Sequence, residues 1–238
     1  ARIWRDFSRT VLIGAQDEAE IRSICRDRGW PEIDNVVHAP HGTDIDRFKP
    51  RDDVAPAPCS LVFNGVMRTY TNVHAITWFV AHVWPLIRRR EPRATLAIVG
   101  RSPRPEVLAL ASHDGISVTG EVVDPADHIA RAAICIDPVQ AGAGMQNKLI
   151  EFMAMAKPIV ATRVANEGIG AAPGEHLVLA DAPDEMAAAI LSLFSDPARA
   201  TAMGAAARAF VEKSWSWEAH FLNLEAHMVA AMEAEAAK

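Results

Sequence analysis

The sequence predicts an α/β protein built on a Rossmann-like, doubly wound parallel sheet, and three observations carry that expectation. Short apolar runs rich in β-branched residues alternate with segments of helical period through the middle of the chain. The connections between them are short, which in a strand–helix–strand succession yields one parallel sheet covered by helices on both faces. After Asp181 the alternation stops and only helical patterns follow, so extra C-terminal helices are expected. The strands are placed at Leu61–Val66, Ala94–Val99, Ile116–Thr119, Ile134–Val139, Pro158–Thr162 and His176–Leu179. Helices are placed between most of them, at Val73–Arg90, Pro105–Ser112, Ala126–Ala132 and Asn147–Ala156. The later helices are Asp184–Phe194, Ala198–Lys213, and Glu218 to the chain end.

The first fifty residues read differently. A strand at Val11–Gly14, a helix at Ala15–Arg28 and a strand at Asn35–His38 cannot bury their own faces and need a larger sheet to join. Three prolines then fall in Lys49–Pro58, a composition that marks a linker. The expected organisation is therefore 1–49 as the tail of a mostly missing N-terminal domain, 50–58 as linker, 59–215 as a complete domain, and 216–238 as a last helix. The start at Ala1, not Met, fits a piece of a longer protein.

Composition excludes several classes. Half the residues are hydrophobic and 23% are charged, so the chain can build a core and is not intrinsically disordered. A formal charge of −6, from 24 basic and 30 acidic residues, argues against a nucleic-acid partner. No run reaches the ~18 apolar residues of a membrane span. Cys25, Cys59 and Cys135 are odd in number and far apart, which suits buried thiols in a reducing compartment and neither a disulfide frame nor a zinc site.

In an open α/β sheet, ligands bind beyond the carboxyl ends of the strands, where helix N-termini point. That places the candidates in four loops: Gly65–Asn72, Gly100–Pro103, Gly120–Asp124 and Gln140–Lys148. The last is the most informative. Gly142 and Gly144 permit close backbone approach, but the dinucleotide fingerprint fails: its third glycine position holds Asn147, and no acidic residue ends the next strand. Lys148 stands in the first turn of a helix, against the macrodipole, which makes sense if an anion also sits there. Glu151 follows one turn on, while Leu149, Ile150 and Met153 take the buried side. A cation at the helix tip with a carboxylate behind it suits a diphosphate and a ribose diol; an ordinary surface Lys/Glu pair is the bland alternative. His74 and His82 lie two turns apart with no third ligand, so no metal site is expected.

The run from Gly142 to Thr162, Gly-Ala-Gly-Met-Gln-Asn-Lys-Leu-Ile-Glu-Phe-Met-Ala-Met-Ala-Lys-Pro-Ile-Val-Ala-Thr, resembles the C-terminal signature of the GT-B glycosyltransferases of family 4, also called group 1. Its Gln-Asn-Lys is similar to the subgroup associated with exopolysaccharide export. His41–Pro50, Phe63–Val66, Ile98–Arg101, Gly120–Asp124 and Ser214-Trp215 resemble further segments of the family in order, so the likeness spans roughly residues 8–225. It implies the C-terminal, donor-binding half of a GT-B fold and transfer of a sugar, with retention, from a nucleotide-diphosphate sugar to an acceptor hydroxyl in polysaccharide or glycoconjugate synthesis. By the same resemblance Glu151 would bind the ribose hydroxyls and Gly142, Ala143, Gly144, Met145, Gln146, Asn147 and Lys148 the diphosphate and sugar. Glu121 and Val122 would offer backbone groups to the base, and Gly65 and Gly100 would let backbone approach the ligand.

The departures from the family pattern matter. Ala143 stands where the first glutamate of its EX7E motif belongs, and Val66 and about Thr71 where an Arg and a Lys bind phosphate. Arg68, Arg101 or Lys148 would supply the missing charge. His41 replaces the usual Asn. The implied partners are a nucleotide sugar and a sugar or lipid-linked acceptor, with no nucleic acid, no cofactor and no metal. The implied setting is the cytoplasm, with the inner membrane face an option for a full-length enzyme. Catalytic residues would lie in the missing N-terminal domain, leaving this chain able to bind nucleotide but inactive in transfer. A non-catalytic nucleotide- or sugar-binding module and a GT-B sugar epimerase remain as alternatives.

Overall fold

The computed structural model describes residues 3–142 and 144–236. They fall into two compact units, one from residues 3–43 and 212–236 and one from the described part of Asp44–Val211. The expected linker, 50–58, lies in the second unit.

In the first unit, β1 (Thr10–Leu12) and β2 (Val36–His38) pair in parallel, with Thr10 opposite Val36 and α1 (Ala15–Asp27) as the crossover. Cys25 and Ile33 are buried, yet Val11 and Ile13 are about half exposed, at 48% and 50%.

The second unit carries the site. Along the chain follow β3 (Ser60–Asn64), α2 (Tyr70–His82), α3 (Trp84–Arg90), β4 (Thr95–Val99), α4 (Pro105–Ala109) and β5 (Ile116–Gly120). Then come α5 (Pro125–Arg131), β6 (Ile134–Asp137), α6 (Asn147–Ala154), β7 (Ile159–Ala161), α7 (Arg163–Asn166), β8 (Val178–Leu179), α8 (Pro183–Ser195) and α9 (Pro197–Ser214). The six strands from β3 to β8 are all parallel, in the order β5-β4-β3-β6-β7-β8. This is the expected doubly wound, Rossmann-like sheet. The chain winds outward from β3 to β5, returns to β6, and winds outward the other way. That reversal between β3 and β6 leaves a crevice at the carboxyl ends of the two strands. Every residue of β3, β6 and β7 is buried, as strands covered on both faces must be, whereas the edge strand β5 alternates.

Some local features depart from the sequence reading. The single helix expected at Val73–Arg90 is two, because Pro85 has no N–H for the carbonyl four residues back and its ring crowds that carbonyl. A short helix, α7, occupies 163–166, capped by Thr162, whose hydroxyl accepts from Ala165 N at 3.2 Å. At the end of the segment that leads into α8, Asp181 does not cap that helix but accepts from Arg163 N at 2.8 Å and pairs with the Arg163 guanidinium at 2.9 Å. Glu185 does reach back to Ala182 N, at 3.5 Å. Cys25 and Cys135 are buried as expected, but Cys59 is only half-buried and sits at φ +54°.

The last helix, α10 (Trp217–Ala236), belongs to the first unit and has no buried residue. Asn223 donates to the His38 carbonyl at 2.9 Å, and His220 meets the Pro40 carbonyl at 2.8 Å. Phe221, Leu222, Met228 and Met232 are exposed. Among the described residues no helix is long and apolar enough to cross a membrane.

Candidate functional site

The loops leaving β3, β4 and β5 are stitched together by their backbones. Gly65 N donates to Val99 O at 3.0 Å, Met67 N to Arg101 O at 3.0 Å, and Gly100 N to Gly120 O at 3.1 Å. This proximity explains two glycines. A Cβ on Gly100 would lie 1.7 Å from the Gly65 carbonyl oxygen, and one on Gly65 would lie 2.6 Å from Asn72 Nδ2, with φ at +149° and +156° respectively. At the end of β5 the register with β4 shifts so that Val99 faces Gly120, leaving Thr119 as an extra residue and turning the Glu121–Val122 loop out of the ladder.

These loops and the start of α6 enclose a cavity of about 430 Å³ at the switch point. From β3 and its loop come Asn64, Gly65 and Val66, and from α2 comes Asn72. The β4 loop gives Val99, Gly100 and Arg101. The β5 loop gives Glu121, Val122 and Pro125, and the approach to α6 gives Met145, Gln146, Asn147, Lys148 and Glu151.

Two of the ionisable lining residues, Lys148 and Glu151, come from the first turns of α6, and Arg101 and Glu121 from the β4 and β5 loops. The Lys148 ammonium is buried, donating to Asn72 Oδ1 at 2.6 Å and to Asp137 Oδ1 at 3.3 Å, and it stands 4.5 Å from the centre of the Phe63 ring. Asp137 ends β6 fully buried, so desolvation pushes its carboxyl upward while Lys148 opposes the shift. Glu151 is likewise raised by desolvation, against the hydrogen bond from Asn64 Nδ2 at 3.2 Å and the positive charges of Arg47 and Lys148. The carboxamide oxygen of Asn64 is buried with no partner among the described residues. An ammonium beside a helix N-terminus suits an anion. A carboxylate with an unsatisfied carboxamide oxygen suits hydroxyl donors.

Of the residues expected at the site, Gly65, Gly100, Arg101, Glu121, Val122, Met145, Gln146, Asn147, Lys148 and Glu151 line this one cavity. Arg68 does not; it is exposed in the turn before α2. Gly142 and Gly144 adopt φ of +141° and +96° in the loop leading to α6 but do not line the cavity. Ala143 lies outside the described residues. The surface-pair reading of Lys148 and Glu151 is overturned: Lys148 is buried and turns back to the end of β6, and Glu151 is half-buried and bonded to Asn64. Asn64 and Asp137 were not among the expected site residues, and Asn72 was included only as the end of the Gly65–Asn72 loop. The available signal was a polar residue closing an otherwise apolar strand, which both Asn64 and Asp137 display.

A family model described as "Glycosyl transferases group 1" matches residues 58–196. The chain is 28% identical over 212 residues to the GDP-mannose-dependent alpha-(1-6)-phosphatidylinositol monomannoside mannosyltransferase of Mycobacterium tuberculosis, a match covering 77% of this chain and 53% of that protein. It is also 28% identical over 132 residues to an uncharacterized 44.6 kDa protein in the cps region of Klebsiella pneumoniae, covering 52% of this chain and 34% of that protein. Among solved structures, Anabaena Alr3699/HepE in complex with UDP superposes with a TM-score of 0.76 at 13% identity, over 94% of this chain and 64% of that one. Sucrose-phosphate synthase from Thermosynechococcus elongatus gives 0.72 at 23% identity, over 96% and 58%. Both structural likenesses are of fold. The chain spans about half the length of the mannosyltransferase and about a third of the Klebsiella protein.

Proposed function

Since the chain belongs to the group 1 glycosyl transferases, we propose that its second unit binds the nucleoside-diphosphate part of a nucleotide sugar in the switch-point cavity. The chain would then be the donor-binding half of an enzyme that moves the sugar, with retention, to an acceptor hydroxyl in polysaccharide or glycoconjugate synthesis. The observation that carries this reading is the one cavity lined together by Lys148, Glu151, the α6 N-terminus and the close-packed glycine loops. Glu151 and Asn64 offer acceptors for a ribose diol, and Glu121–Val122 stands where a base would be read. The Lys148 ammonium and the helix N-terminus face the diphosphate, and their electrostatic stabilisation of it as a leaving group is this chain's main chemical contribution.

The half-enzyme reading is supported by the relatives' greater length and by the exposed apolar residues of the first unit, which suit a larger sheet around β1 and β2. The acceptor and the catalytic geometry belong to that further domain, so the isolated chain is expected to bind nucleotide and transfer no sugar. A lipid-linked acceptor would bring the full enzyme to the inner face of the membrane from the cytoplasm. A non-catalytic binding module is the second reading, favoured by Val66 lining the cavity where the family carries a phosphate-binding Arg.

A thermal-shift panel of UDP, GDP, ADP and NAD tests the binding reading. One nucleoside diphosphate at about 100-fold over its Kd should stabilise the protein by about 2.7 kcal/mol, with or without EDTA. A shift with NAD alone would point to a different ligand class, and a shift abolished by EDTA would mean that a metal bridges the phosphates.

A further inference from the structure

We infer that Asp137 and Asn72 are positioning residues that set how much positive charge Lys148 presents to a bound diphosphate, a role that rests on the nucleotide-binding reading above. Four elements meet at the ammonium: the end of β6, the Phe63 ring of β3, the first turn of α2 and the first turn of α6. Asn72 and Lys148 line the cavity, while Asp137 does not, so the carboxylate stands behind the ammonium and the carboxamide stands beside it. The Asn72 amide is fixed at both ends. Its oxygen accepts from Lys148 at 2.6 Å and its nitrogen donates to Val66 O at 3.2 Å, tying the turn after β3 to the ammonium. Two of the three N–H donors of Lys148 are thus engaged in hydrogen bonds within the protein, and Lys148 still lines the cavity.

The cost of this arrangement argues that it serves binding. Asp137 is fully buried, its second oxygen has no partner among the described residues, and the rest of β6 is Ile134, Cys135 and Ile136. A buried ion pair commonly gives no more stability than apolar residues of the same volume, so packing alone would favour a hydrophobic side chain at position 137. What the carboxylate does provide is a counter-charge 3.3 Å from Lys148 on the side away from the ligand. Placed there, Asp137 offsets part of the ammonium's charge and moderates its pull on phosphate. Asn72 aims it.

The test compares dissociation constants for the nucleoside diphosphate that binds the wild type best and for the matching nucleoside, measured by calorimetry. Their ratio isolates the phosphate contribution. Asp137→Asn should enlarge that ratio about tenfold while lowering the melting temperature, a pairing that a merely structural residue would not give. Asn72→Ala, at a half-buried position, should shrink it about tenfold with nucleoside affinity unchanged. A folded Asp137→Asn whose ratio is unchanged or smaller overturns the role of Asp137, and an unchanged ratio in Asn72→Ala overturns that of Asn72. If Asp137→Asn does not fold, Asn72→Ala and Asn72→Asp decide, the added carboxylate being expected to shrink the ratio further and an unchanged ratio overturning the inference. A wild type that binds no nucleoside diphosphate overturns the nucleotide reading itself, whereas normal wild-type binding with unaltered variants overturns only the positioning.

Discussion

Glu151 keeps a carboxylate in a place where burial disfavours its charge, and the consequence can be read as a function of pH. Its folded pKa is raised above the ordinary glutamate value. A raised acid contributes stability that is complete below the unfolded pKa and is lost as pH rises through the folded one. Glu151→Gln should therefore gain melting temperature on the wild type across the range of pH above the ordinary glutamate value, 4.5, while losing nucleotide affinity. An unchanged difference across that range would show that the carboxyl is not desolvated. Gly100 permits a sharper steric test. Because an added Cβ would fall 1.7 Å from the Gly65 oxygen, Gly100→Ala should destabilise by about 1–3 kcal/mol or more, measured by urea unfolding. Lys148 and Glu151 were legible in the sequence because one helical turn separates them in a strongly patterned helix. Asp137 was not, because its role depends on a partner eleven residues away that only the β6–α6 turn brings near.

The strands and most helices could be read from period alone, since β3, β6 and β7 are short apolar runs buried on both faces. What escaped has local causes. The division between α2 and α3 comes from one proline, whose backbone chemistry outweighs the apolar period running through it. α7 is a single turn and too short to show any period. Helix ends were similarly hidden. Lys157, in the turn after α6, donates to the carbonyls of Ala130 and Ala132 at 2.5 and 2.9 Å, closing the C-terminal end of α5 with a buried ammonium. Desolvation lowers its pKa. Lys157→Met would leave both carbonyls buried without that donor, and a loss of about 1–3 kcal/mol is expected in denaturant unfolding. A change within about 0.5 kcal/mol would mean that water replaces the ammonium.

At the scale of the molecule, the two units differ in how far they satisfy themselves. The second has a six-stranded sheet covered on both faces, whereas the first combines two three-residue strands with a final helix that buries none of its residues. Phe7, Val11, Met228 and Met232 line a cavity of about 280 Å³ within the first unit, and all four are exposed. Apolar surface of this kind suits contact with further protein, and on the half-enzyme reading proposed above, joining an N-terminal transferase domain to this chain should protect the α10 amides from hydrogen exchange. Unchanged α10 exchange in the joined protein would count against a domain seated there. The measurement that bears most directly on function is a calorimetric titration of the wild type and of Glu151→Ala and Lys148→Ala with UDP, GDP and ADP. One nucleoside diphosphate should bind the wild type at a single site, and each variant should bind it at least about tenfold more weakly while remaining folded. Absence of binding by all three, or equal binding by both variants, would contradict the placement of a nucleotide in this cavity.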